Sequence, residues 1–285
     1  MDNNNETHDP SEVTTNTRPK FGQRYLKDEN EVYSQNAWDN VLWTTEQESQ
    51  ANAVIAQNSA DILTDDVKGL YDTAAAKYWD HFYAQHQDKF FKDRTWLQTE
   101  FPELFNENGR IKLFRLRCRK YDCSYSSLFY ECSRKSPDYD PLRCHAFVFD
   151  VTATDAILPF PKNSIDVIVM VFVLSAVSPE KFTSVMVNLV SYMKPGGIFL
   201  FRDYGRGDMV QLRFKKGKCL GENFYLRSDG TRVYFFKQEE LRQLFLGCGL
   251  EEVENILDHR LIVNRKKELK MYRVWIQCKY KKPLR

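Results

Sequence analysis

Length, composition and charge limit what this chain can be before any motif is considered. Its 285 residues suffice for one large α/β domain and a modest accessory region. No apolar run approaches the roughly 20 residues that a membrane span requires, and the first residues lack the apolar core of a secretory signal. We therefore expect a cytoplasmic or nuclear protein.

The cysteine pattern bears on the redox state of the thiols, and the charge distribution bears on the kind of binding partner. The seven cysteines include no C-x-x-C pair, and an odd count in an unsecreted chain favours reduced thiols. Residues 1–66 carry 13 acidic and 4 basic residues, whereas residues 260–285 carry 10 basic and 1 acidic. This asymmetry indicates a polyanion-binding face at the C-terminal end, although a solvated lysine-rich edge strand explains the charge alone equally well.

The N-terminal part combines a polar tail with a predicted helix. Residues 1–20 hold almost nothing apolar, so we predict that they are disordered. Residues 65–85 have helical apolar spacing, with Thr64 or Asp65 as the cap.

A strand, helix and strand follow in the second half of the chain. Residues 145–151 and 165–174 are dense in β-branched and apolar types, as expected for strands covered on both faces. Ser178 should cap a helix over 178–193, and residues 198–202 read as the next strand. This is a βαβ unit of a parallel sheet.

The pattern then changes to antiparallel signals. Residues 223–226 and 232–236 predict a hairpin, and residues 239–248 a helix. Further strands are expected near 250–254 and 271–279. A mostly parallel α/β sheet with antiparallel C-terminal strands is the class I, Rossmann-like methyltransferase layout, but many α/β folds share it.

Four sequence motifs carry a family resemblance. FFKDRxW, FVLSAV, FRDYG and DGTRVYFF occur in that order within the segments 78–104, 166–182 and 200–236, and a further matching segment is 271–284. Together these segments resemble the tRNA 3-methylcytidine methyltransferases. The resemblance covers most of the chain outside residues 1–20 and 105–136.

The resemblance also suggests a domain division and a substrate. It implies a tail over 1–20, a helical extension over 21–104 and a methyltransferase domain over 105–285. FGQRYL (21–26) and NAWDNVLW (36–43) resemble the subgroup that modifies threonine and some arginine tRNAs. Whether a partner protein is needed stays open at this point.

S-adenosylmethionine is the cofactor that the resemblance implies. The family's cofactor positions match five residues here, Trp79, Tyr83, Asp150, Val151 and Val171. The carboxylate would accept from the adenine amino group, the valines would sandwich the base, and the aromatic rings would close over the sulfonium. Without the resemblance, the aromatic and aliphatic members would be read as ordinary core.

One departure from the family concerns the cofactor loop. A loop of the form G-C-G-x-G-N-T should follow the first strand, and a ribose-binding Asp should follow the second. Residues 111–136 instead contain no glycine and four arginines. Back-translation with a shift of one nucleotide restores much of the missing loop. We therefore hypothesise that residues 105–136 are encoded by a frame-shifted and partly deleted stretch of the coding sequence.

Catalysis is expected at the motif FRDYG. Ring nitrogen 3 of cytidine has a free lone pair, so alignment of donor and acceptor matters more than a general base. Methylation leaves a cationic ring that a carboxylate would stabilise. Asp203 is the candidate, with Arg202 and Tyr204 beside it. A loop-capping carboxylate is the competing interpretation of Asp203.

A basic loop is the candidate contact with RNA, and no metal is expected. Four cations, Arg213, Lys215, Lys216 and Lys218, flank one aromatic residue, which suggests phosphate contact, although a plain charged loop is the alternative. His81 and His86 lie five residues apart, so on a helix they point away from each other.

Two rival interpretations remain at this stage. The chain could be a tRNA-binding pseudoenzyme that keeps its basic surface without holding the cofactor. It could also be a non-functional isoform whose first two sheet strands are damaged.

Overall fold

The structure is a computed structural model, and its main sheet is mixed, with a parallel and an antiparallel part. It describes residues 24–86, 97, 100–105, 112–117, 147, 149–153 and 157–284. Its strands are β1 (Ala37–Asp39), β2 (Leu113–Arg117), β3 (Ile165–Val171), β4 (Met193–Tyr204), β5 (Cys219–Gly221), β6 (Phe224–Leu226), β7 (Arg232–Tyr234), β8 (Glu251–Asn264) and β9 (Leu269–Lys281). Its helices are α1 (Thr45–Ser59), α2 (Asp65–Thr73), α3 (Ala75–His86), α4 (Phe182–Tyr192), α5 (Met209–Leu212) and α6 (Gln238–Gly247).

Six strands form the main sheet in the order β1-β8-β9-β4-β3-β2. The pairs β2 with β3 and β3 with β4 are parallel, while β4, β9, β8 and β1 pair antiparallel. The parallel part followed by antiparallel C-terminal strands is the class I methyltransferase arrangement, so this expectation is confirmed.

The two faces of the sheet carry separate apolar clusters. Phe199 and Phe201 of β4 join the large cluster with α4 and α6, while Leu200 joins a smaller cluster with Phe101. This alternation follows from the two-residue period of a strand. It means that neighbouring side chains at the end of β4 face opposite sides of the sheet.

A small second sheet, β5-β6-β7, lies beside the main sheet. The strands β6 and β7 form the predicted hairpin, pairing Phe224 with Tyr234. Isolated parallel bridges connect this part of the chain to its surroundings, one of them between Gly205 and Phe236. The hairpin is thereby held near the carboxyl end of β4.

Several local predictions need correction. The helix expected over 65–85 breaks at Ala74, which adopts a non-helical conformation between α2 and α3. Ser178 does not cap α4 with its side chain, because its hydroxyl donates to Asp72 instead. Among the described residues of the strand expected over 145–151, none lies in a strand.

The predicted division into an extension and a methyltransferase domain stays a prediction. The strand β1 from the expected extension pairs with β8, so this part of the chain completes the sheet edge. Within residues 105–136, the atypical segment, β2 forms and pairs with β3. Residues 1–20 and 118–146 lie outside the described residues. In the part of the chain that is described, no helix is long and apolar enough to span a membrane.

Candidate active site

Asp203 lies at the carboxyl end of β4 and is fully buried. Its Oδ2 accepts a hydrogen bond from the backbone N–H of Ser175 at 3.0 Å, and its Oδ1 accepts one from that of Tyr204 at 2.9 Å. Burial raises the pKa of this carboxyl to about 6, against the lowering effect of these hydrogen bonds. The carboxylate is therefore held rigidly and titrates close to neutral pH.

The partner Ser175 is positioned by the loop that leaves β3. Phe172, the first residue after β3, has a φ of 53°, and its backbone N–H donates to Arg202 O at 2.8 Å. A left-handed conformation is costly for a bulky residue, and such strain is concentrated at functional sites. The turn directs the Leu174–Ala176 helical turn back toward β4, where Ser175 meets Asp203.

Trp79 and Tyr83 lie on the buried side of α3. Their rings stack with centroids 5.8 Å apart, and both join the apolar cluster that holds Phe201. The Nε1 of Trp79 is buried and has no hydrogen-bond partner among the described residues. A buried donor without a partner is costly, so a ligand that accepts from this nitrogen would fit here.

Arg227 was not predicted from the sequence. Its guanidinium carbon lies 6.0 Å from the ring centroid of Trp79 and 5.8 Å from that of Tyr204. Its charge acts to lower the pKa values of both Asp203 and Tyr204. It makes no ion pair in the described part of the chain. The only sequence signal was its place just before the turn Ser228–Gly230 of the predicted hairpin.

Two contacts dock this hairpin turn onto the helices α2 and α3. Gly230, at φ 84°, sits against the ring of Tyr78. Arg232 donates to Asp72 at 2.6 Å and to Ser178 at 2.7 Å. Partial burial alone would raise the pKa of Asp72, but these hydrogen bonds and cations lower it to about 2. The docking explains how Arg227 reaches the ring of Trp79.

The other expected cofactor residues fall on different sides of the sheet. Val151 is buried in the cluster that includes Trp79 and Tyr83. Asp150 accepts hydrogen bonds from the backbone and the hydroxyl of Thr152, both at 2.8 Å. Val171 packs on the opposite face, with Phe101. The structure therefore groups Trp79, Tyr83 and Val151 but not Val171.

Arg202 and Tyr204, expected beside Asp203, lie on the opposite face. Arg202 is buried, forms an ion pair with Asp258, and donates to Gln277 Oε1 at 2.6 Å. The ring of Tyr204 lies 4.9 Å from that of Phe172. Tyr204 thus reaches Asp203 only through its backbone N–H, and Arg202 is engaged in the sheet interior.

The basic loop lies between α5 and β5. Arg213, Lys215 and Lys216 are exposed, and Lys218 is half-buried. These four cations form no ion pair among the residues that the structure describes. His81 contacts Gln85, and the described residues contain no group of three side chains suited to a metal.

The fold and the site define a class I methyltransferase, and comparisons with known proteins refine this class. A methyltransferase-domain family model matches residues 118–255. The Xenopus tropicalis protein named tRNA N(3)-cytidine methyltransferase METTL2 is 43% identical, with 93% of this chain and 95% of that protein covered. The Drosophila melanogaster protein named tRNA N(3)-methylcytidine methyltransferase Mettl2 is 46% identical, with 92% and 88% covered.

A Schizosaccharomyces pombe relative named tRNA N(3)-methylcytidine methyltransferase trm140 is 38% identical over 95% of this chain and 94% of its own length. A solved methyltransferase of Methanosarcina mazei has 16% identity and a TM-score of 0.47, covering 65% of this chain and 99% of its own. The chain belongs to the tRNA N(3)-cytidine methyltransferase family.

The comparison with the Xenopus protein also bears on the atypical segment. The alignment extends over 320 positions, whereas this chain has 285 residues. The relative therefore carries residues that have no counterpart here. This agrees with the hypothesis of a deletion.

Proposed function

We propose that this chain forms 3-methylcytidine in tRNA with S-adenosylmethionine as the methyl donor. The observation that carries the proposal is a buried carboxylate, Asp203, at the carboxyl end of a core strand in a chain whose relatives bear that enzyme name. Ligands of open α/β sheets bind at this edge. The resemblance further suggests position 32 of the anticodon loop in threonine and some arginine tRNAs.

Several residues of this chain would hold the cofactor. When bound, S-adenosylmethionine supplies an electrophilic methyl group. Trp79 and Tyr83 would hold its methionine end, since the Trp79 Nε1 lacks an acceptor among the described residues. Asp150 and Val151 would hold the adenine, whereas Val171, the third residue expected there, packs on the opposite face of the sheet. Because the glycine-free segment 111–136 does not match the family's cofactor loop, the fit is only partial.

Asp203 would stabilise the positive charge that methylation leaves on the cytosine ring. Arg227 lies beside the rings of Trp79 and Tyr204, and its charge acts on Asp203. It suits an acceptor oxygen of the base, because a guanidinium donates in a fixed planar array. Tyr204 and Arg202 would contribute by fixing the end of β4. The loop with Arg213, Lys215, Lys216 and Lys218 would contact tRNA phosphates.

The direct test is incubation of the purified chain with tRNA transcripts and S-adenosylmethionine, followed by nucleoside mass spectrometry. Appearance of 3-methylcytidine at one loop position of a threonine tRNA is the expected product of an active chain. Methylation at carbon 5 of cytidine or on another base would overturn the proposed reaction.

A second candidate function is tRNA binding without turnover. The sequence feature behind it is the absence of glycine from residues 111–136, because the family's loop lets the backbone approach the cofactor. The names of the relatives favour the enzyme. Titration calorimetry with S-adenosylmethionine and with tRNA separates the two functions. A chain that binds tRNA but no cofactor is the binding protein, and one that binds both and forms 3-methylcytidine is the enzyme.

A further inference from the structure

Three half-buried rings form a continuous row at the carboxyl edge of the main sheet. Phe172 lies 4.9 Å from Tyr204 and 6.4 Å from Trp275, measured between ring centroids. Tyr204 and Trp275 are register partners on β4 and β9. We call Phe172, Tyr204 and Trp275 the aromatic row.

Guanidinium groups lie along this row. Arg273 lies 5.0 Å from the ring centroid of Trp275 and 6.0 Å from that of Tyr204. Arg202 lies 5.0 Å from Trp275, and Arg227 lies 5.8 Å from Tyr204. Arg273 pairs with Asp208 and Arg202 with Asp258, so Arg227 is the one of these three arginines without an ion pair among the described residues. Arginines interleaved with aromatic rings are the composition of surfaces that bind unpaired nucleotides, where bases stack and cations meet the backbone.

Two features of the row are not explained by packing alone. The Nε1 of Trp275 is buried and has no hydrogen-bond partner in the described part of the chain. Phe172 holds a left-handed backbone, which glycine would adopt without strain. A bulky ring at such a position indicates that the ring itself is needed.

We propose that the aromatic row is a stacking platform for unpaired nucleotides of the tRNA loop that flank the target cytidine. This inference rests on the proposed function, because it assigns a surface to the same substrate. Phe172 and Trp275 would stack against splayed bases, and the Trp275 Nε1 would donate to a base or sugar oxygen. Arg227, which makes no ion pair among the described residues, supplies positive charge for an RNA occupant, which an uncharged peptide would not require.

The test uses the full chain and an anticodon stem-loop RNA, without cofactor. Base stacking contributes about 1–3 kcal/mol per base, so Phe172→Leu should weaken binding roughly fivefold to a hundredfold. The slope of log affinity against log salt should not change, because stacking releases no counterions. Phe160→Leu is the matched control, since Phe160 is also half-buried but lies before the amino end of β3.

Phe172→Gly separates the ring from the fold. This variant relieves the backbone strain but also removes the ring contacts with Tyr204 and Trp275. A cooperative thermal transition together with weakened RNA binding is the expected result. A stem-loop with an abasic nucleotide beside the target should bind the original chain more weakly, and Phe172→Gly should add little further loss.

The outcomes distinguish the two proposals. Equal RNA affinity of Phe172→Gly, Phe172→Leu and the original chain would overturn the platform alone. A loss of S-adenosylmethionine affinity without a loss of RNA affinity would assign the ring to the cofactor and also overturn it. Failure of the original chain to bind any stem-loop would overturn the tRNA substrate together with the platform.

Discussion

Gly230 and Tyr78 touch so closely that no side chain fits between them. A Cβ at position 230 would overlap the tyrosine ring, and the φ of 84° is itself unfavourable for other residues. Gly230→Ala should push the hairpin turn away from α3 and move Arg227 from Trp79, at a cost of about 1–3 kcal/mol. Thermal unfolding measures the loss.

The control substitution is expected to change the stability of the protein in the opposite direction. Gly69 lies inside α2, and a Cβ there would meet nothing within 4 Å. Gly69→Ala should therefore stabilise the protein by roughly 0.5–1 kcal/mol. An unchanged melting temperature for Gly230→Ala would mean that the hairpin does not rest on Tyr78.

The buried ion pair of Arg202 predicts a structural phenotype. Its partner Asp258 is fully buried and also pairs with Arg260 at 3.0 Å. Arg202→Met removes one partner of a buried pair and should cost about 3–5 kcal/mol in urea unfolding. Lys194→Met breaks the more exposed pair with Asp166 and should cost less than about 1 kcal/mol. Full stability of Arg202→Met together with a loss of turnover would restore a catalytic role.

The cofactor affinity of this chain is predicted to be low. In this fold the glycine loop and the ribose carboxylate make hydrogen bonds, and charge-assisted ones contribute roughly 1.5–3 kcal/mol each. Loss of the carboxylate alone would cost about tenfold to a hundredfold in affinity. Calorimetry should show weak binding, and restoring the shifted frame with the missing segment should recover it. Robust methylation by the original chain would contradict this prediction.

Asp203 predicts a pH dependence once the loop is restored. The carboxylate form is the one that stabilises a cation, and the raised pKa of about 6 means that it is lost as pH falls through that value. Turnover should thus be constant above pH 7 and decline below about 6, while Asp203→Asn should be slow at every pH. An unaltered pH profile in Asp203→Asn would assign the titration to another group.

The basic loop predicts a change in salt dependence. Replacement of Lys215, Lys216 and Lys218 by glutamine should weaken tRNA binding and reduce the salt slope by about one for each phosphate that the loop no longer neutralises. Lys68 and Lys237 already pair with Asp65 and Glu222, so their double replacement is the control. A triple variant with the original slope would place the tRNA elsewhere.

Short-range patterns predicted the parts of the site that lie on single elements. The apolar strands β3 and β4 could be identified from composition and spacing, and so could Asp203 near the carboxyl end of β4. The alternation within β4 also implies that Arg202 and Asp203 cannot face the same cleft, a consequence that grouping them by motif overlooks.

Contacts between residues far apart in the chain account for the features of the site that the sequence did not predict. Arg227 lies beside Trp79 while Gly230 of the same hairpin rests on Tyr78, more than a hundred residues earlier in the chain. The break at Ala74 lies next to a second such contact, in which Asp72 at the end of α2 accepts a hydrogen bond from Arg232. The local sequence does not indicate either contact. The two partners of each contact are far apart in the chain and are residue types that are common at protein surfaces.

The place of β1 at the far edge of the sheet sets an order of assembly during synthesis. Trp38 is translated early, yet it packs with Leu261 and Val263 of β8, which are made more than two hundred residues later. Contacts between such distant parts of a chain form slowly. The growing polypeptide must therefore carry this tryptophan without its partners, and a chaperone that shields it until β8 and β9 have paired would raise the yield of folded protein.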